Sequence, residues 1–181
     1  MTSAETSAGT HRKPPTSSPP DLPVAPSAPR KEREVVLKVE QAIVIALPTA
    51  TVFQYRSHLA NTPQWQRDVV AVQLMSAYAE GLGARAIEQR RGHEGALQAW
   101  ELEITEYEPD RLLRIVGQCE GVRFDELHSF LPTGGTYYTL TAELTGAAIP
   151  FAAFQRKTVE GLCRLRARLE EDYARSARAR V

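Results

Sequence analysis

Between Val69 and Leu144 the chain interrupts its apolar runs with turn residues about every ten positions, and after Pro150 it does not interrupt them at all. No other feature limits the fold as much. The runs Val69–Met75, Ala84–Arg91, Leu97–Tyr107, Leu112–Gly117, Val122–Leu131 and Thr136–Leu144 each read as a strand. Gly81 and Gly83, the loop Gly92–Gly95, Glu108-Pro109-Asp110, Glu120-Gly121 and Pro132–Gly135 separate them, which predicts an antiparallel meander. From Ile149 to about Ala177, Phe151, Phe154, Val159, Leu162, Leu165, Leu169 and Tyr173 recur at helical spacing. Arg156, Lys157, Arg164 and Arg168 fall mostly on the other side. A helix with one apolar stripe needs a sheet to cover it.

Ahead of the meander, Val35 to Leu47 reads as another strand. Pro48 suits a first helical turn, where its missing N–H costs nothing. Val52, Phe53, Tyr55 and Leu59 then predict a short amphipathic helix. Asn61-Thr62 reads as a cap, with Pro63 opening a second, shorter helix closed by Trp65. The expected architecture is α+β. One strand, two short helices and six strands make an antiparallel sheet of about seven strands, strongly curved, with the long C-terminal helix along its concave face. Wherever side chains fail to fill the space between helix and sheet, a groove is left.

Residues 1–33 have a different character. Seven prolines fall between Pro14 and Pro29 among Ser, Thr and Ala, so the segment cannot bury enough surface to offset its ordering entropy. It is expected to be a disordered tail, either solubilising or docking as a polyproline II segment on a protein partner. The folded domain is expected over 34–177. Its charge is balanced, with 22 Lys and Arg against 22 Asp and Glu, which argues against steering onto nucleic acid. The Arg-rich C-terminus is interrupted by Glu170, Glu171 and Asp172 and reads as a solvated helix face. No run is long enough for stable membrane insertion, and the start lacks a signal peptide's apolar centre. Cys119 and Cys163 fit neither a metal nor a disulfide framework, and the four histidines are scattered. A cytoplasmic protein without metal or cofactor is the expectation.

The segments "ALPTATVFQYRSHLANTPQWQRDVVAVQL", "GLGARAIEQ", "WELEITEYEPDRLLRI", "LPTGGTYYTLTAEL" and "LCRLRARLEE" carry, in order and spacing, a resemblance to the START-like or SRPBCC superfamily. The branch is that of the polyketide cyclase/dehydrase and lipid-transport proteins, with coenzyme Q-binding relatives. The resemblance spans about residues 35–172. It implies a helix-grip fold and a hydrophobic small-molecule ligand, a lipid, quinone or polyketide, held between sheet and helix. The alternative behind that reading is an aromatase/cyclase or dehydratase using the same groove.

Strand alternation nominates the residues that face such a groove. Trp100, Leu102 and Ile104 share one side of their strand. The apolar weight of Phe124 and Phe130 brings Glu126 and His128 to the same side, and Tyr138 and Leu140 follow on the next strand. With Trp65, Phe154 and Leu162 these are the expected ligand-binding residues, although Trp65 reads first as a core aromatic that anchors the helical plug. After Gly83, either Ala86, Glu88 and Arg90 or Arg85, Ile87 and Gln89 face inward; the pattern leaves both open. Glu126 and His128, at i and i+2, are the candidate catalytic acid/base pair if they point inward, and surface residues if they lie on the rim or convex face. Tyr55 and His58 are weaker candidates on the first helix.

Overall fold

The first and second strands of this chain lie at opposite edges of one sheet, and that separation is what the helical corner between them accomplishes. The computed structural model describes residues 36–92, 95–147 and 149–179. Strand β1 (Val36–Ile45) leads into helix α1 (Thr49–Ser57) and a 3₁₀ helix (Leu59–Gln64). Six strands follow: β2 (Val69–Leu74), β3 (Arg85–Arg91), β4 (Leu97–Glu108), β5 (Leu112–Cys119), β6 (Val122–Pro132) and β7 (Thr136–Thr145). Helix α2 (Phe151–Arg178) ends the fold. The sheet order is β1-β7-β6-β5-β4-β3-β2, every pair antiparallel. β1 pairs with the last strand, from Val36 opposite Thr145 to Ile45 opposite Thr136. α1 and the 3₁₀ helix carry the chain from there to β2 at the far edge.

Bends in the sheet have local causes. The β4–β5 register shifts between Ile104 and Glu106, and the β2–β3 register between Val69 and Ala71. Each extra residue kinks its strand and raises the twist. Glu120 and Gly121, both at positive φ, make the two-residue turn that joins β5 to β6. Gly117 lies opposite Phe124, and a Cβ there would overlap the phenyl ring, so the glycine lets Phe124 lie flat across β5.

The α+β helix-grip architecture expected from the residues is the one observed, with small shifts at element ends. One element differs more. The 3₁₀ helix starts at Leu59, so Pro63 lies inside it rather than opening it. His58 is extended and breaks the α-helical path early. Thr62 Oγ1 donates back to the Leu59 carbonyl (2.9 Å) instead of capping a later helix. The stripe of α2 is also shorter than its periodicity. Leu162, Leu165 and Leu169 are buried, whereas Phe151 and Tyr173 are about half exposed and Val159 is exposed. Phe151 and Tyr173 are each about three turns from Leu162, at the ends of the helix beyond the packed layer. Val159 points off the stripe's axis. The expected tail 1–33, its proposed docking role, and residues 93 and 94 of the Gly92–Gly95 loop lie outside the described residues. Among the described residues, no helix is long and apolar enough to cross a membrane.

Candidate functional site

α2 crosses the concave face with its N-terminal half over the turns β3–β4 and β5–β6. There it leaves a chamber of about 640 Å³. Trp65, Trp100, Phe124, Leu140 and Phe154 supply its apolar wall, with Ala147, Ala153 and Gly161 as small residues that leave the volume open. A second depression of about 460 Å³ surrounds the β5–β6 turn. It is lined by Glu101, Gln118, Glu120 and Arg123 among others, a polar and open surface without an aromatic wall. Apolar walls with a few placed polar groups mark small-molecule sites, so the chamber under α2 is the candidate.

One of those polar groups is Glu126. It and His128 follow each other on the inward face of β6, as the weight of Phe124 and Phe130 predicts. The last turn of α1 brings Arg56 down onto them. Arg56 Nη2 is 3.1 Å from Glu126 Oε2 and 2.9 Å from His128 Nε2, and its guanidinium lies 5.0 Å from the Trp65 ring centroid. Arginine has only donors, so His128 Nε2 must accept. The imidazole proton is then on Nδ1 and donates to Tyr138 Oη at 2.6 Å. His128 is 0% exposed and Glu126 only slightly exposed, on the chamber wall.

The charges follow from this packing. Burial, then the Arg56 charge, pushes His128 down to about 4 against the pull of Glu126, so the ring is neutral at pH 7. Burial alone would raise Glu126. The hydrogen bond and charge of His128, already protonated at such low pH, outweigh it with the charges of Arg56 and Arg90 and hold it at about 2. Burial raises Tyr138 to about 12. At neutral pH the cluster is therefore one ion pair, Arg56 with Glu126, plus a neutral His128 and Tyr138.

A second ion pair stands across the chamber. The inward face of β3 is Ala86, Glu88 and Arg90. Arg90 Nε and Nη2 both reach Glu88 Oε2, at 2.8 and 2.6 Å. The guanidinium stacks 5.5 Å from the Trp100 ring centroid and 4.7 Å from that of Phe124. Lys157 of α2 meets Asp68 at 2.7 Å and ties the helix to the segment before β2.

Of the residues nominated from sequence, Trp65, Trp100, Phe124, Glu126, Leu140 and Phe154 form the chamber wall. Leu102, Ile104, Phe130, Tyr138 and Leu162 are buried but lie off the wall, and His128 lies beneath Glu126. The nominated residues thus divide between the chamber wall and the packed core beside it. Alternation selects the inward face of a strand but not how far along it the filled core extends, and here ring packing fills those positions. Sequence reasoning missed Arg56 and the Asp68–Lys157 tie, and held Arg90 only as one of two open alternatives for its strand. Arg56 did leave a signal: it follows Val52 and Phe53 by one helical turn, which puts it on the buried face of α1. Tyr55 donates to Gln64 Oε1 at 3.3 Å, and His58 touches neither the cluster nor the chamber wall.

The family model described as polyketide cyclase / dehydrase and lipid transport matches residues 36–171. No curated protein sequence matches the chain. Solved structures do match it. The Zhui aromatase/cyclase from Streptomyces sp. R1128 is 16% identical over 75% of this chain and 94% of its own, with a TM-score of 0.61. A protein from Rhizobium leguminosarum is 16% identical over 76% and 97%, at 0.62. One from Thermus thermophilus is 20% identical over 76% and 99%, at 0.56. Likeness at these identities establishes a shared fold and nothing finer.

Proposed function

The chain belongs to the polyketide cyclase/dehydrase and lipid-transport family, and from that premise we propose that it binds a hydrophobic or amphipathic small molecule, of the lipid, quinone or polyketide class, in the chamber under α2. The observation that carries this reading is the chamber itself: about 640 Å³, with aromatic and aliphatic walls interrupted by charged side chains, among them Glu126 of β6. Cys119 and Cys163 are both free thiols, in keeping with a reducing, cytoplasmic setting.

A second reading, a polyketide-type cyclase or dehydratase, draws on Glu126 standing at that wall above His128. The protonation states weigh against it. A general base works best with a pKa near the operating pH. Glu126 at about 2 and His128 at about 4 are both weak bases, and Arg56 already occupies the free nitrogen of His128. Native mass spectrometry of protein purified from its own host tests the binding reading, which expects a co-purifying apolar molecule. A stripped, empty chamber that takes up none of the host's lipid extract overturns it. Conversion of a linear polyketide by the wild type, abolished in His128→Asn while binding survives, replaces it with the cyclase.

A further inference from the structure

The interior and the mouth of the chamber differ in how their charges are matched. Inside, both buried guanidinium groups already hold a carboxylate, Arg56 that of Glu126 and Arg90 that of Glu88. The lining residues that are exposed, and so frame the mouth, include Arg67, Arg91, Lys157, Glu160 and Glu120. Lys157 meets Asp68 at 2.7 Å, and Glu160 accepts from Arg164 at 3.1 Å. Arg67, Arg91 and Glu120 make no ion pair among the described residues. The two arginines are neighbours by backbone geometry. Arg90 stands opposite Val69 in the β2–β3 ladder, and the Arg91 N–H donates to the Asp68 carbonyl at 2.7 Å. Arg67 directly precedes Asp68, in the turn that the Val69 N–H closes onto the Gln66 carbonyl at 3.3 Å. Glu120 belongs to another hairpin, the β5–β6 turn.

An amphiphile in this chamber buries its tail among Trp100, Phe124, Leu140 and Phe154 and leaves its head where charge and water can meet it. A carboxylate drawn inside would lose its hydration and face Glu126, with both buried guanidinium groups already matched. At the mouth the same carboxylate meets two guanidinium groups on one side. Set against Glu120, they leave one net unmatched positive charge, which suits a monoanion. We propose that the ligand is a single-chain amphiphile with a carboxylate head, held at the mouth by Arg67 and Arg91 with its tail in the chamber. This rests on the binding reading and names the ligand class of that site: long-chain carboxylates, rather than their neutral esters or amines.

The test uses the full chain at low ionic strength and three probes of one chain length: dodecanoate, methyl dodecanoate and dodecylammonium. Both tryptophans of the protein, Trp65 and Trp100, are on the chamber wall, so their fluorescence reports occupancy. An exposed ion pair contributes little by itself, so Arg67→Gln combined with Arg91→Gln is expected to weaken dodecanoate about three- to tenfold. Methyl dodecanoate should change by less than about twofold, and dodecylammonium should bind the variant more tightly than the wild type. Salt at about 0.5 M should reproduce the loss of dodecanoate relative to its ester in the wild type and leave their ratio in the variant unmoved, because it screens exposed charges. If the double variant does not fold, each single substitution carries the same expectation at about two- to threefold. Equal losses for dodecanoate and its ester, a dodecanoate affinity that neither substitution nor salt moves, binding of the ester alone, or tightest binding of dodecylammonium by the wild type each overturn the head-group assignment and leave the binding chamber standing. Binding of none of the three overturns both.

Discussion

The two ends of the space between α2 and the sheet are built from the same elements, yet one is solid and the other hollow. At the α1 end, Phe53 meets Tyr107 and Phe130 edge-on with ring centroids 5.2 and 5.1 Å apart, and Phe130 meets Tyr138 at 5.0 Å. Leu165 and Leu169 of α2 are buried in the same core. At the other end, Trp100 and Phe124 are also 5.4 Å apart, but α2 presents the small residues Ala153, Thr158 and Gly161 there beside Phe154 and Lys157. The aromatics are equally abundant. What differs is the size of the helix residue facing them and the charge between them, since Arg90 lies over both rings. Close packing of rings and leucines makes a core; small residues and a stacked guanidinium keep a chamber open.

The comparison can be broken most decisively at the solid end. Leu162→Asp places a carboxylate with no partner in the packed layer, which is worth more than the stability of a domain of this size in many cases. The variant is expected to be unfolded by circular dichroism. Native stability would place the α2 stripe on the surface. Next in size is a matched pair of deletions. Phe130→Ala should cost ~3–5 kcal/mol in urea unfolding, because a packed site cannot collapse around the lost ring. Phe124→Ala, at a wall that already borders open space, should lose only the transfer contribution, about 1.5–3 kcal/mol. Equal costs would mean the chamber is closed in solution.

Acid should expose the boundary between the two ends, where Glu126 and His128 sit. His128 binds its proton less readily folded than unfolded, so its contribution is complete above pH 6.5 and is lost as pH falls toward about 4. Glu126 is depressed from 4.5 to about 2, so its contribution is complete above pH 4.5 and is lost toward about 2. At ~1.4 kcal/mol per pK unit, the upper limb amounts to roughly 3 kcal/mol. Urea midpoints between pH 7 and 4 should fall in the wild type and stay level in His128→Asn; parallel falls would show that His128 is not the group responsible. The smallest expected change in stability is that of Gly161→Leu. A Cβ at Gly161 meets Trp65 at 3.6 Å, an ordinary contact, with chamber space beyond it. The variant should fold within about 1 kcal/mol of the wild type while excluding an apolar ligand from the chamber. Unchanged uptake would place the ligand elsewhere.

Much of this was already legible in the chain. The strands, their breakers and the long helix are local: period-2 alternation, Gly and Pro at turns, and an uninterrupted 3.6 period do not depend on distant partners. The inward face of β6 was legible for the same reason, because Phe124 and Phe130 flank Glu126 and His128 at even spacing and a pleated strand sends all four to one side. Where the apolar pattern was weak, as on β3, the face stayed open until Trp100 paired with Glu88 across the ladder. The identity of the cluster was decided only in three dimensions. Arg56 stands seventy residues before Glu126, and only the corner made by α1 brings the two within 3.1 Å. Those contacts then set the His128 tautomer and the Glu126 charge, which no spacing encodes. The chamber, too, belongs to tertiary structure. Whether the space beneath an amphipathic helix is filled depends on which helix residue faces which ring, and the sequence specifies the residues without specifying the register at which they meet.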